Sequence, residues 1–158
     1  MAKHLAQYNV ARFKGGDKNG PHLADFHVNL DRINALGDRM HGFVWRYKTA
    51  EGENAPALTV PGQGEEIAAN LTVWESVETL ETFVWSTIHA KIYARKHEFF
   101  ETPAEPYLVM WWIDAGHIPT LEEAQACLDH LIANGPSAHA FGWESAPAAK
   151  LWREKRCA

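Results

Sequence analysis

Apolar positions recur along this chain with two periods, and their order predicts a fold. His4 to Phe13, HLAQYNVARF, alternates and reads as a strand. Leu23, Phe26, Leu30 and Ile33 recur at 3-4-3 spacing, one face of a helix that Gly37 would terminate. Gly42 to Lys48 is rich in β-branched and aromatic residues and predicts a second strand. A polar connection, Thr49 to Glu66, follows; loops this long in a compact domain commonly act as functional flaps. Ala68 to Ser76 alternates and predicts strand three, with Ser76 as N-cap and Glu78 in the first turn of the next helix. That helix runs from Val77 toward Phe100. Pro106 to Ala115 is almost wholly apolar, as in a buried strand. A third helix opens on a capping box of Thr120 and Glu123 and buries Leu121, Ala124, Leu128 and Leu131. It stops at Gly135 and Pro136. Ala140 to Ser145 predicts a short fifth strand.

The first six elements run β-α-β-β-α-β, the split βαβ order of a ferredoxin-like α+β sandwich. Such a sheet is antiparallel with helices on one face. Its second face must also be covered, and the economical solution is a homodimer in which two sheets enclose a cavity. Strand three sets Leu71 and Val73 on one side and Asn70, Thr72 and Trp74 on the other, a mixed polar and aromatic face suited to a pocket.

One stretch does not behave as a simple core helix. At about 100° per residue, Leu80, Val84, Val77, Ile88, Ile92 and Trp85 fall within roughly 140° of the wheel. His89 lies just outside that arc, beside Tyr93 and Phe100. Arg95 lands back inside it, so a kink or break is expected between His89 and Arg95.

Composition narrows the function. The chain has 158 residues, enough for one domain over residues 1–158, with 46% hydrophobic and 22% charged residues. The basic stretch LWREKR lies in a segment from about residue 146, expected as a solvated tail or docking segment. A net charge of −5 lacks the basic footprint of a nucleic-acid binder. No apolar run reaches the ~20 residues of a membrane span. Two cysteines, Cys127 and Cys157, give no metal spacing or disulfide framework, and a cytoplasmic location is expected. Seven tryptophans suit a large aromatic pocket, or simply a large core. Zinc, nucleotide and nucleophile-elbow motifs are missing.

In order along these elements stand GFVWR, TVWESVETLETFVWSTIHAKIYARKHEFFE, PYLVMWWIDAGHIPTLEEA and GPSAHAF. Together they resemble a bacterial family known only as a domain of unknown function, within the dimeric α+β barrels near the antibiotic-biosynthesis monooxygenases. The resemblance spans roughly His4 to Ser145. It departs at Met40–His41 and at AFGWES, where Trp143 is placed to reach a partner subunit. It implies a small-molecule enzyme, a cofactor-independent monooxygenase or isomerase. Relatives in the wider superfamily carry haem, so a haem protein is an alternative, and a non-catalytic ligand-binding dimer is another.

His89 is the candidate acid/base, or the axial ligand if haem is bound. It is equally a structural histidine bonded to a carbonyl. Trp45 and Arg46 are adjacent on a strand and face opposite ways, so one meets the cavity: Trp45 to stack a planar ligand, or Arg46 to pair with a carboxylate or phenolate. Asn70, which shares a face with Trp74, is placed to donate to a substrate carbonyl. Tyr93 and Trp111 complete the expected substrate contacts. A hydrophobic or aromatic molecule in a Trp-lined cavity is the expected substrate.

Overall fold

A computed structural model of the protein describes residues 1–49, 52, 58–60 and 66–157. The elements are β1 (Lys3–Ala11), α1 (Ala24–Gly37), β2 (Phe43–Arg46), β3 (Leu58–Thr59) and β4 (Glu66–Trp74). They continue with α2 (Val77–Ser86), α3 (Ile88–Ala94), α4 (Lys96–Phe99), β5 (Leu108–Asp114), α5 (Leu121–Asn134) and α6 (Lys150–Cys157). The sheet is antiparallel in the order β2-β4-β1-β5, with β3 added to β4. The expected α+β split βαβ architecture is therefore the one observed. Most of the Thr49–Glu66 connection, expected as a flap, lies outside the described residues.

Strand alternation divides the core in two. Ala6, Tyr8, Leu71, Val73, Val109, Trp111 and Ile113 form one layer with Ala124, Cys127, Leu128 and Leu131 of α5. Leu5, Trp74 and Met110 point the other way, into a layer with Ile33, Val77, Leu80 and Phe83 from α1 and α2. Each fully buried Leu or Phe contributes about 1.5–3 kcal/mol. Helices thus cover both faces, not one. The apolar stripe of α5 needs a surface, and the second sheet face supplies it within the chain. A homodimer inferred from a bare second face loses that physical argument.

Caps set the helix ends. Ser76 accepts from Thr79 N while Thr79 Oγ1 accepts from Ser76 N, a full capping box at α2. Thr120 caps α5 through Glu123 N at 3.1 Å, but the Glu123 carboxylate turns away to Trp111 and His117. Gly37 is the last residue of α1, and its missing side chain lets Phe83 approach; a Cβ there would sit 3.3 Å from the ring. Gly42 has φ +78°, and an added Cβ would overlap the Thr79 side chain.

Three expectations change at the ends of the elements. The 77–100 helix is interrupted at Thr87 (φ −121°, ψ −175°) and again at Arg95 (φ −95°, ψ 8°), so the first break precedes His89. The expected fifth strand reduces to one bridge, Met110 with Phe141, followed by a 3-10 turn at Trp143–Ser145. Trp143 packs on Trp85 within this chain, ring centroids 6.1 Å apart. The basic C-terminal stretch is no solvated tail but helix α6, docked on α2. Buried Glu81 accepts from the backbone N–H groups of Lys150, Leu151 and Trp152 at 3.0–3.4 Å, satisfying the orphan donors of its first turn. No helix among the described residues is long and apolar enough to cross a membrane.

Candidate active site

Between the sheet and the α1–α4 layer lies a cavity of about 210 Å³. Strand register builds its floor. Asn9 of β1 and Asn70 of β4 are directly opposed and belong to the same face as Thr72 and Trp74. A register shift between Phe43 and Trp45 gives β2 an extra residue, so Arg46 opposes Thr72 while Trp45 opposes Val73. Arg46 therefore meets the cavity, and Trp45 packs against the α5-side core.

The helix break supplies the opposite wall. Thr87 Oγ1 donates to Phe83 O at 2.6 Å and accepts from His89 N at 3.1 Å, ending α2 and starting α3 in one residue. Arg95 is drawn out of the apolar layer by Glu98 and Asp25, both at 2.9 Å or less. Between those breaks, α3 presents His89, Ile92 and Tyr93 to the cavity. Phe26, Leu30 and Ile33 of α1 complete the apolar side. Phe99 and Phe100 close one end, with Phe100 edge-on to Phe26 at 5.2 Å.

The polar groups in this apolar setting are unevenly satisfied. His89 Nδ1 lies 3.3 Å from Val84 O, which makes Nδ1 the protonated nitrogen of the neutral ring. Nε2 is then an acceptor with no hydrogen-bond partner among the described residues. Burial lowers the His89 pKa, only partly opposed by that backbone bond, so the imidazole is neutral near pH 7. The ring sits 5.0 Å from Phe83 and stacks on Tyr93 at 6.1 Å. The Asn70 amide makes no hydrogen bond among the described residues. Arg46 donates to Asp38 at 2.9 Å, yet its Nε is buried and unpaired. Burial lowers its pKa as well, offset in part by Asp38.

Of the residues expected from sequence, His89, Arg46, Asn70 and Tyr93 are brought together on this cavity. Trp45 and Trp111 lie across the sheet, where Trp111 Nε1 donates to Glu123 at 3.0 Å. Trp74 is fully buried beneath the floor, stacked on Phe83 at 5.3 Å, with Nε1 donating to Thr72. No tryptophan of the described residues lines the cavity, so its aromatic wall is Phe and Tyr.

A family model matches residues 4–157 of this sequence. The chain belongs to the family described as domain of unknown function DUF3291. The DUF3291 chain is similar to a solved protein of unknown function from Nitrosomonas europaea at TM-score 0.50 and 15% identity, covering 75% of this chain and 97% of that one. That likeness is one of fold. A conserved protein from Methanosarcina mazei Go1 aligns at TM-score 0.47 and 12% identity over 71% of this chain and 92% of that one. SnoaB, a cofactor-independent oxygenase from Streptomyces nogalater, aligns at TM-score 0.38 and 13% identity over 73% and 93%. No curated protein matches the sequence.

Sequence reasoning about this DUF3291 chain missed Lys96 and Tyr107. Lys96 Nζ donates to Tyr93 Oη at 2.9 Å and to Tyr107 Oη at 3.3 Å, and the two phenol oxygens are 2.8 Å apart. The i, i+3 spacing of Tyr93 and Lys96 was a readable signal, but Tyr107 joins only through the tertiary fold. Among the described residues, no three His, Cys, Asp or Glu side chains cluster to hold a metal. Haem does not fit either. At about 210 Å³ the cavity is below the roughly 300–1,000 Å³ of sites for drug-sized ligands, and His89 faces no larger space.

Proposed function

We propose that this protein is a small-molecule enzyme of the antibiotic-biosynthesis-monooxygenase-like class, with His89 as its general base. The observation that carries the reading is a neutral imidazole whose free Nε2 stands in an apolar cavity. A desolvated base of depressed pKa is unprotonated at neutral pH and takes a proton without first losing one. The Val84 carbonyl holds the tautomer and stabilises the imidazolium that forms. The ring-sized cavity favours a hydrophobic or aromatic substrate, with Asn70 donating to a substrate oxygen. Proton removal leaves a delocalised carbanion. Reprotonation elsewhere gives isomerisation, and reaction with dioxygen gives cofactor-free oxygenation; the base and the dry site serve both.

The test screens aromatic and polyketide-like compounds by tryptophan quenching. Trp85, edge-on to Tyr93 at 5.1 Å, is the expected reporter. Hits are then assayed for product and for dioxygen uptake without added cofactor. His89→Gln should lower kcat by 10²–10⁴-fold, roughly the range for loss of a general base, while ligand quenching persists. Undiminished turnover in that variant removes His89 from the chemistry. Tight binding without turnover of any hit favours a ligand-sequestering protein.

A further inference from the structure

Lys96 and Tyr107 border two spaces at once. They line the inner cavity with Tyr93, and they also line an outer groove of about 710 Å³ that reaches the 101–107 loop and α5. The cluster thus stands at the boundary the two spaces share, a doorway between them.

Proton counting shows what the cluster lacks. The Lys96 ammonium only donates, so both of its contacts run from Nζ to a phenol oxygen. The two phenols share one hydrogen bond of 2.8 Å, and one of them is its donor. Whichever donates, the other keeps a hydroxyl proton with no acceptor among the described residues. That remaining donor is polarised, because its own oxygen accepts from an ammonium and from a second phenol. The ammonium also lies 4.2 Å from the Tyr93 ring centre, which fixes its place.

We propose that Lys96, Tyr93 and Tyr107 form an oxyanion-binding site that takes a substrate carbonyl or phenol oxygen. Resting on the reading of His89 as base, this names the substrate class: compounds whose deprotonation places negative charge on oxygen. His89 Nε2 takes a proton from carbon next to the carbonyl, or from a vinylogous position. The C–H electron pair moves into the carbon skeleton and onto oxygen, giving an enolate or phenolate. The phenol donor and the ammonium stabilise that charge where it develops. Protonation of another carbon by the His89 imidazolium closes an isomerisation with all atoms balanced. The substrate's remaining body extends past the doorway into the groove.

The test uses 4-nitrophenol, whose absorption distinguishes the phenol from the phenolate. Wild-type protein should bind the ionised form at least about tenfold more tightly, lowering the dye's apparent pKa by about one unit or more. Tyr107→Phe and Lys96→Met should each remove most of that shift while keeping the melting transition of wild type. His89→Gln should keep the shift, because it alters the base and not the oxyanion site. Such a result with no turnover of any substrate would leave the oxyanion site standing and sink the general-base reading alone. An unshifted dye in wild type, no dye binding at millimolar concentration, or a shift that survives in both Tyr107→Phe and Lys96→Met would overturn the proposal.

Discussion

The two faces of this one sheet solve opposite problems. On the α5 side, the polar groups under α5 are partnered: Trp111 Nε1 reaches Glu123, and the Tyr8 hydroxyl donates to Gln125, which donates onward to Asp129, although His4 Nδ1 near the start of β1 is buried without a partner. Burial pushes the Cys127 thiol up to about 11, so it is an inert core group. On the α1–α4 side, residues one register step away are left wanting partners: Asn70, His89 Nε2 and Arg46 Nε. An unpaired buried polar atom such as Arg46 Nε costs stability, while unpartnered groups that line the cavity, Asn70 and His89, are free to meet a ligand. A strand can serve both ends because its side chains alternate: Tyr8 and Leu71 go to one face, Asn9 and Asn70 to the other.

The largest expected effect lies on the satisfied face. Leu131→Ala removes a buried side chain between α5 and the sheet and should cost about 2–5 kcal/mol in urea unfolding, with ligand quenching per folded molecule unchanged. If quenching falls as well, the faces are coupled and the contrast fails. A smaller effect follows from His89. Its folded pKa lies below the ordinary 6.5, so between those two values the unfolded chain binds the extra proton. Stability from this group is therefore full above 6.5 and lost as pH falls toward the depressed value. His89→Gln should flatten that part of the stability–pH curve; a curve identical to wild type would mean the ring is not desolvated. The smallest stability change belongs to Asn70→Leu, which swaps an unpartnered amide for a similar apolar volume. Unfolding should shift by about 0.5 kcal/mol or less in either direction, while affinity for a carbonyl ligand should drop by roughly tenfold, the worth of one hydrogen bond.

Periodicity made the element order readable from residues alone. Alternation at residues 68–74, the 3-4-3 spacing from Leu23 to Ile33 and the cap at Ser76 are local signals, and each reappears in the structure. Side selection was less legible. Arg46 takes the cavity because of one extra residue near Val44, a bulge that the spacing of apolar residues does not announce. Trp111 looked like a ligand contact by composition, but its N–H meets a carboxylate 12 residues further on, on α5. The stripe of α5 was visible, yet its destination was not, since periodicity says that a face is buried and not against what. His89 was singled out by its border position on an ideal wheel. Its actual place depends on Thr87 restarting the helix just before it.

The clasp between Glu81 and α6 also orders events in time. The carboxylate belongs to the middle of the chain, while the three amides that satisfy it belong to residues 150–152. During synthesis α2 emerges first and must wait for nearly seventy further residues before its buried acid has donors. Until they arrive, the Glu81 carboxylate lacks the backbone donors it has in the folded chain. The cavity's wall is therefore braced by a distant segment that contributes nothing to its lining.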